Sequence, residues 1–144
     1  DYGISGEVGD DSVDLDPGHR QLVDDVGRFR GVTVNGIERE KNREIRAAAW
    51  FAGERLREAG YRGPFGIDAW EYESPDDGTR LNPLGEMNAR MTFGRVARRL
   101  AKRLDLAWPA TLRVGRGSPP ARSVPVLLPG GEDNTSAWFE RSGR

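Results

Sequence analysis

The chain has 144 residues, a length typical of one domain, with 36% hydrophobic and 31% charged residues and a formal net charge of −1. This charge argues against a nucleic-acid or membrane partner, and no segment approaches the ~20 apolar residues that cross a bilayer. The absence of cysteine excludes disulfides, thiolate metal sites and a cysteine nucleophile, and it fits the reducing cytoplasm, where we expect the protein to act.

The first third of the chain predicts short strands separated by turns. Alternating residues begin at Tyr2 with no initiator methionine, so we interpret the sequence as part of a longer polypeptide. Turn residues such as Pro17, Gly18 and Gly36 separate the strands. The predicted strands are residues 2–8, 12–15, 20–24 and 28–34.

Residues 38–59 predict the clearest helix, because apolar residues recur every three or four positions and Gly60 follows as a stop. A hairpin comes next, with Pro83 indicating an edge strand or a bulge. Thr92 is a plausible cap for a second helix with an apolar stripe. The predicted elements are strands at 65–72 and 80–88, a helix at 93–104, and strands at 111–114 and 124–128, after which Trp138 and Phe139 pack on the core.

Consecutive strands joined by tight turns predict an antiparallel sheet. With two main helices packed on one face of that sheet, the fold class is α+β. A doubly wound parallel sheet does not fit this order of elements.

A carboxylate, an amide and a guanidinium alternate at Glu86, Asn88 and Arg90. Alternate side chains of a strand share one face, so these three point the same way while Met87 and Ala89 point into packing. If the strand that carries Asp68 pairs with this one, Asp68 and Glu86 can bind the same cation from two sides. Carboxylate and amide oxygens are ligands that Mg²⁺ prefers, and a fixed guanidinium suits phosphate or carboxylate.

The competing interpretation is that Asp68 and Glu86 are ordinary edge charges paired with arginines. Asp68 lies between the apolar residues Ile67 and Ala69, and a buried charge needs a partner or a metal. That position favours the metal site without excluding the alternative.

The segments around Asp68 and from Leu84 to Arg90 resemble the metal-binding end of an ATP-grasp domain, closest to bacterial ligases of the peptide or carboxylate–amine type. The family pattern is an acidic residue on one strand and Glu-x-Asn on the next. The resemblance covers roughly residues 1–104. We therefore divide the chain into a C-terminal ATP-grasp subdomain at 1–106 and a short-stranded extension packed on it at 107–144.

The resemblance implies an ATP-dependent carboxylate–amine or carboxylate–thiol ligase that acts through an acylphosphate. Asp68, Glu86 and Asn88 would hold Mg²⁺ or Mn²⁺, with Glu86 and Asn88 also contacting ATP. Arg90 would have the catalytic role, binding a small carboxylate substrate or the transferring phosphate.

The phosphate-binding lysines, glycine-rich flap and adenine hinge of that family have no counterpart in this sequence, and we interpret Lys41 and Lys102 as solvated. We therefore expect the chain to need an N-terminal ATP-grasp subdomain from the same native chain or a second subunit, and to be inactive alone. The rival hypothesis is a non-catalytic binding or assembly module that kept the fold. A third, an anion-binding regulatory domain, would use the basic residues between Arg95 and Arg103.

Three further expectations concern single features. His19 follows a Pro-Gly turn and is interpreted as a surface residue. The basic residues of the second helix are interpreted as a solvated face. Ile4, Trp70 and Met91 are expected to be exposed apolar residues that promote association of a half-domain.

Overall fold

The computed structural model describes residues 1–140 as strands and two helices, with bounds close to those predicted. In chain order they are β1 (Tyr2–Val8), β2 (Val13–Leu15), β3 (His19–Val23), β4 (Phe29–Val34), α1 (Arg39–Glu58), β5 (Gly63–Ser74), β6 (Gly78–Asn88), α2 (Phe93–Arg103), β7 (Ala110–Arg116), β8 (Val124–Gly130) and β9 (Thr135–Phe139). Neither described helix is both long and apolar enough to span a membrane.

The strands form one antiparallel sheet in the order β6-β5-β1-β3-β4-β7-β9-β8, with β2 paired to the end of β1. The predicted α+β class is confirmed. β7 pairs with β4, so the last three strands continue the same sheet. β9 is a strand that the sequence pattern predicted only as a packed tail. Its residues Ala137 and Phe139 are buried, whereas Trp138 between them is partly exposed.

Helix α1 packs against the face of β1 and β5 that carries Ile4 and Ile67, which lie opposite each other in the ladder. Ile45 and Ala49 of α1 are fully buried in the same cluster, as their spacing predicts. Ile4 is therefore a core residue, and the expectation that it is exposed was wrong. Its neighbours in this cluster include Tyr2 and Val8 of β1 and Phe65 and Ala69 of β5.

Helix α2 packs against the other face of β1. The hydroxyl of Thr92, just before α2, lies 2.8 Å from that of Ser5, and adjacent residues of a strand point to opposite faces. Ala97 and Ala101 of α2 cover a second cluster built on β4, β7 and β9. The helices thus contact opposite faces of β1, whereas the sequence pattern placed both on one face. Six of the seven residues of β1 are buried, so neither face of the strand is polar. The sequence of β1 therefore does not show which of its faces each helix covers.

The β5–β6 hairpin contains a bulge. Trp70 pairs with Asn82, yet Asp68 pairs with Glu86, so residues 83–85 lie opposite Ala69 alone. Gly85 has no side chain where the ring of Trp70 lies, and a Cβ there would overlap that ring. Pro83 falls inside the bulge on this edge strand, as its position predicted.

The outer face of β6 and the segment after it are exposed. Trp70 and Met91 are exposed, as expected. Met87 and Ala89 are also exposed, so the expectation that they point into packing was wrong. β6 is the edge strand of the sheet, and although Leu81 packs on the α1 cluster, alternation on an edge strand does not show which of its other residues are buried.

Candidate functional site

Strands β5 and β6 place the predicted metal ligands on one face. Asp68 lies directly opposite Glu86, and Gly66 lies directly opposite Asn88. Glu86 and Asn88 are two residues apart on β6, so their side chains point to the same side as Asp68. The strand pairing that the sequence predicted is therefore present, and it faces α2 rather than α1.

Asp68 is held by two amides. Asn88 donates a hydrogen bond from Nδ2 to Oδ2 of Asp68 at 3.1 Å, and Gln21 donates from Nε2 to Oδ1. With its amide nitrogen donating to Asp68, Asn88 keeps its side-chain carbonyl oxygen available to accept a hydrogen bond or to bind a cation. Both carboxylate oxygens of Asp68 retain unused lone pairs in the same way.

Sequence reasoning missed Gln21. It lies on β3, and β1 separates β3 from β5. Gly3 of β1 pairs with Asp68 on one side and with His19 on the other, and its missing side chain leaves the crossing open. The only signal in the sequence was a polar residue at the second position after His19, on the same face of β3.

Burial raises the pKa of the Asp68 carboxyl, and the charge of Glu86 opposite raises it further. The hydrogen bonds from Gln21 and Asn88 and the charge of Arg90 act in the other direction. The net shift is upward, so the site as it stands disfavours the second negative charge. A cation close to both carboxylates would remove that penalty.

Arg90 lies just beyond the end of β6 and is exposed. Its Nη1 contacts the carbonyl oxygen of Met91 at 3.4 Å, and none of its described contacts is an ion pair with a carboxylate. The guanidinium therefore retains most of its donors for a ligand.

A cavity of about 220 Å³ opens beside Asp68. Its walls come from β3, the start of β4, the middle of β5, the end of β6 and the start of α2. The lining residues are His19, Gln21, Phe29, Asp68, Asn88, Arg90, Thr92, Phe93 and Gly94. Glu86 is outside this lining, on the neighbouring part of the same face. Asp68 thus joins two regions, a carboxylate pair on β5–β6 and a cavity toward α2.

Only two of the three predicted metal ligands carry a negative charge. No group of three or more His, Cys, Asp or Glu side chains within residues 1–140 could hold a metal ion. The predicted set has two such residues, Asp68 and Glu86, with the amide oxygen of Asn88 as its third protein ligand. This is a set for a cation that takes its remaining ligands from phosphates and water.

A larger depression, of about 550 Å³, lies along the first turns of α1. It is lined by the polar and charged residues Arg39, Glu40, Asn42, Arg43 and Arg46. It contains no residue of the Asp68 site, and α1 lies on the opposite face of β1. We therefore assign the functional site to the smaller cavity.

His19 is 6% exposed, so the expectation that it is a surface residue was wrong. The ring lies between Gly3 of β1 and Gly94 of α2, and a Cβ at either glycine would overlap it. Burial lowers the pKa of His19 to about 4, so the imidazole is neutral near pH 7. A Pro-Gly turn before a strand does not reveal that a distant helix will cover the first strand residue.

The basic residues of α2 are not all solvated. Arg95 is buried and forms an ion pair with Glu7 of β1. Arg98 pairs with Asp16 at 3.3 Å, and its guanidinium stacks over the ring of Trp108. The apolar residues Val96 and Leu104, which flank the buried Ala97 and Ala101 in the sequence, are exposed. The interpretation as a solvated face was wrong for Arg95, because acidic partners on the sheet balance its charge.

Lys41, which was interpreted as solvated, forms an ion pair with the sheet. Its Nζ lies 2.8 Å from Oε1 of Glu71, and the hydroxyl of Tyr2 donates to the other oxygen of Glu71 at 2.7 Å. The hydrogen bond with Glu71 holds the pKa of Lys41 above its usual value. Lys41 therefore joins α1 to β5 on the face opposite the site.

Solved structures provide the decisive comparison. An ATP-grasp superfamily protein from Archaeoglobus fulgidus matches 99% of this chain with a TM-score of 0.65 and 20% identity, over 45% of its own length. The chain has part of the ATP-grasp fold. N5-carboxyaminoimidazole synthase from Aspergillus clavatus, in complex with ADP and 5-aminoimidazole ribonucleotide, matches 98% of the chain at 12% identity, with a TM-score of 0.56 over 46% of its length. The enzyme from the same fungus in complex with ATP matches with a TM-score of 0.57 at 14% identity, over 98% of this chain and 45% of its own length.

The ATP-grasp likeness is one of fold. No family model matches the sequence, and no curated protein matches it either. The chain spans less than half the length of the ATP-grasp structures that it matches.

Proposed function

We propose that this chain supplies the Mg²⁺- and phosphate-binding part of the ATP site of an ATP-dependent ligase. The ligase joins a carboxylate to an amine, or to a thiol, through an acylphosphate. One observation carries the proposal, the direct cross-strand pairing of Asp68 with Glu86 on the face that also carries Asn88.

The pairing is unfavourable without a counter-charge. Directly opposite residues on one face have Cβ atoms about 5 Å apart, and like charges at such positions destabilise a sheet. Arg90 offsets part of this charge, yet it forms no ion pair with either carboxylate among the described residues. A divalent cation that takes one oxygen from each of Asp68, Glu86 and Asn88 fits the donor set.

The chain's own residues would orient the reactants. A bound Mg²⁺ would offset the negative charge of phosphate oxygens. Gln21 and Asn88 fix the Asp68 carboxylate through hydrogen bonds to both of its oxygens. Arg90 presents a planar fork of donors at the cavity, which suits a substrate carboxylate or a phosphate through two parallel hydrogen bonds.

The rest of the ATP site would come from an N-terminal ATP-grasp subdomain, in the same native chain or in a second subunit. The short coverage of the matched structures supports this part of the proposal. Cytoplasmic location, expected from the lack of cysteine, stays a prediction.

The test is Mn²⁺ binding to the 144-residue chain, measured by electron paramagnetic resonance of the free ion. We expect Asp68→Asn and Glu86→Gln each to weaken Mn²⁺ binding by at least about tenfold, since each removes a charged ligand. Glu73→Gln is the matched control, because Glu73 is an exposed carboxylate on the same strand, away from the cavity. Equal effects of Glu73→Gln and Asp68→Asn, or no Mn²⁺ binding at all, would overturn the proposal in favour of a non-catalytic module.

A further inference from the structure

The cavity beside Asp68 has an aromatic side that metal and phosphate binding do not use. Phe29 of β4 and Phe93 of α2 pack with ring centroids 4.9 Å apart and planes tilted by 41°. Both line the cavity, and Phe93 is 53% exposed. A half-exposed aromatic ring at the edge of a cavity offers apolar area that a ligand can cover.

The floor of the same cavity carries a polar group without a partner. The His19 ring lines the cavity and makes no hydrogen bond to any residue in 1–140. The residue is only 6% exposed, yet neither ring nitrogen is among the fully buried atoms that lack a partner in this part of the chain, so the imidazole reaches the space inside the cavity. Polar groups at such positions bond to water or to a bound molecule. A ligand group in the cavity would supply the partner that the protein does not.

The charged groups lie at the other side. Asp68, Asn88 and Arg90 line the cavity where it meets the carboxylate pair, and Phe29, Phe93 and His19 line it toward α2. A ligand that spans the cavity would therefore carry an anionic end and an apolar body. The volume of about 220 Å³ is below the ~300 Å³ at which sites for drug-sized molecules begin, so the body is compact.

We propose that this cavity receives the organic body of the acid substrate, and that this body is a small aromatic or apolar group carrying one hydrogen-bonding substituent. The carboxylate end faces Arg90, the body packs on Phe29 and Phe93, and the substituent bonds to His19. The inference rests on the proposed function, because that function places the carboxylate at Arg90. It adds the side chains that select the acid.

The probes are benzoate, the hydroxybenzoate isomers and acetate, which has the same carboxylate without a ring. Binding to the 144-residue chain is followed by two-dimensional amide NMR. We expect benzoate to shift the signals of His19, Phe93 and Gly94 and to bind about tenfold more tightly than acetate, the ratio that ~1.4 kcal/mol represents. At least one hydroxybenzoate should bind more tightly than benzoate, because its hydroxyl group can form a hydrogen bond with the His19 ring.

Phe93→Ala should reduce benzoate binding to the level of acetate. Phe51→Ala is the matched control, since Phe51 is 55% exposed on α1 and lies on the opposite face of the sheet. Both rings are half exposed, so neither substitution should unfold the chain, and thermal melting of each variant checks this. Equal affinities for benzoate and acetate, equal effects of the two substitutions, or shifts that map outside the cavity would each overturn the inference.

Mn²⁺ binding is measured on the same samples to separate the two proposals. If Mn²⁺ binds and responds to Asp68→Asn while benzoate fails these criteria, only the substrate inference falls. If Mn²⁺ does not bind, the proposed function falls, and the inference falls with it. Phe93→Ala itself should leave the Mn²⁺ affinity unchanged, because Phe93 supplies no ligand oxygen.

Discussion

Gln21 on β3 donates a hydrogen bond to Asp68 on β5 across the intervening strand β1. The contact is possible because Gly3 lies at the crossing point. A Cβ at Gly3 would be 3.2 Å from Nε2 of Gln21 and 2.5 Å from Nε2 of His19. One glycine thus makes room both for the partner of the candidate metal ligand and for the buried imidazole.

The first prediction concerns that hydrogen bond. Gln21→Leu removes the donor to Oδ1 of Asp68 with little change in volume, and residues that orient metal ligands typically contribute about 10–100-fold in affinity. We expect a fall in Mn²⁺ affinity of about tenfold, measured by calorimetry. Arg20→Gln is the control, because Arg20 is exposed and precedes Gln21 on β3, with its side chain on the opposite face. An unchanged affinity in Gln21→Leu would show that Asp68 does not need this support.

The second prediction concerns the packing of α2 on His19. In Gly94→Ala the new Cβ would lie 2.1 Å from the buried imidazole, so the ring or the helix must shift to accommodate it. We expect a loss of about 1–3 kcal/mol in the free energy of unfolding, the usual cost of overpacking, measured by urea denaturation. Gly9→Ala, where the nearest atom is 3.5 Å away, should be close to neutral. A neutral Gly94→Ala would mean that α2 is not seated on His19 as described.

The third prediction is a pH dependence. The folded chain holds the pKa of His19 at about 4, below its ordinary 6.5, so between these values the unfolded chain binds the additional proton. The stabilisation from neutral His19 is complete above pH 6.5 and is lost as the pH falls toward 4, by an amount on the order of 3 kcal/mol.

This dependence can be isolated because His19 is the only histidine in the sequence. Urea denaturation at a series of pH values is compared for the wild type and His19→Gln. The variant should lose stability less steeply between pH 6.5 and 4, although carboxylates contribute to both curves. Parallel curves would contradict the burial of a neutral imidazole.

The fourth prediction concerns Arg95. Glu7→Gln leaves this buried guanidinium without its ion-pair partner on β1, and hydrogen bonds to charged groups contribute roughly 1.5–3 kcal/mol. Because Glu7 is partly exposed, we expect the loss in unfolding free energy to lie near the lower end, at about 1–2 kcal/mol. Glu40→Gln removes an exposed pair with Arg43 on α1 and should change the stability by less than about 0.5 kcal/mol.

The fifth prediction follows from the chain's short coverage of the matched structures. The chain alone should bind Mg·ATP with a dissociation constant no lower than about 1 mM, which corresponds to a binding free energy of ~4 kcal/mol. Calorimetry with the 144-residue chain measures this directly. Micromolar affinity would mean that the chain contains a complete nucleotide site, contrary to the half-site that we propose.

Much of the fold could be predicted from the sequence because its signals are local. The periodicity of α1, the turn residues and the alternation of β1 located most elements within a few residues. The pairing of Asp68 with Glu86 followed from one hairpin, whose strands are adjacent in the chain. The metal role of these residues stays a prediction.

The features that sequence reasoning missed depend on distant segments. The burial of His19 and the pairing of Arg95 with Glu7 require α2 to cover the second face of β1. The contact of Gln21 with Asp68 requires β1 to lie between β3 and β5. No short window contains both partners of any of these contacts. Basic residues on a helix look solvated until the acidic residues that face them are known.

The bulge in the β5–β6 hairpin separates the tip of the hairpin from its base. Residues 83–85 shift the ladder by two positions, an even number, so Asp68 faces Glu86 where an uninterrupted ladder would put Leu84. Removing two bulge residues would straighten β6 and still leave Glu86 opposite Asp68. Removing one residue would move the side chains of β6 to the other face of the sheet, either at the tip or at the base of the hairpin. The bulge can therefore lose two residues without disturbing the facing carboxylates, whereas it cannot lose one.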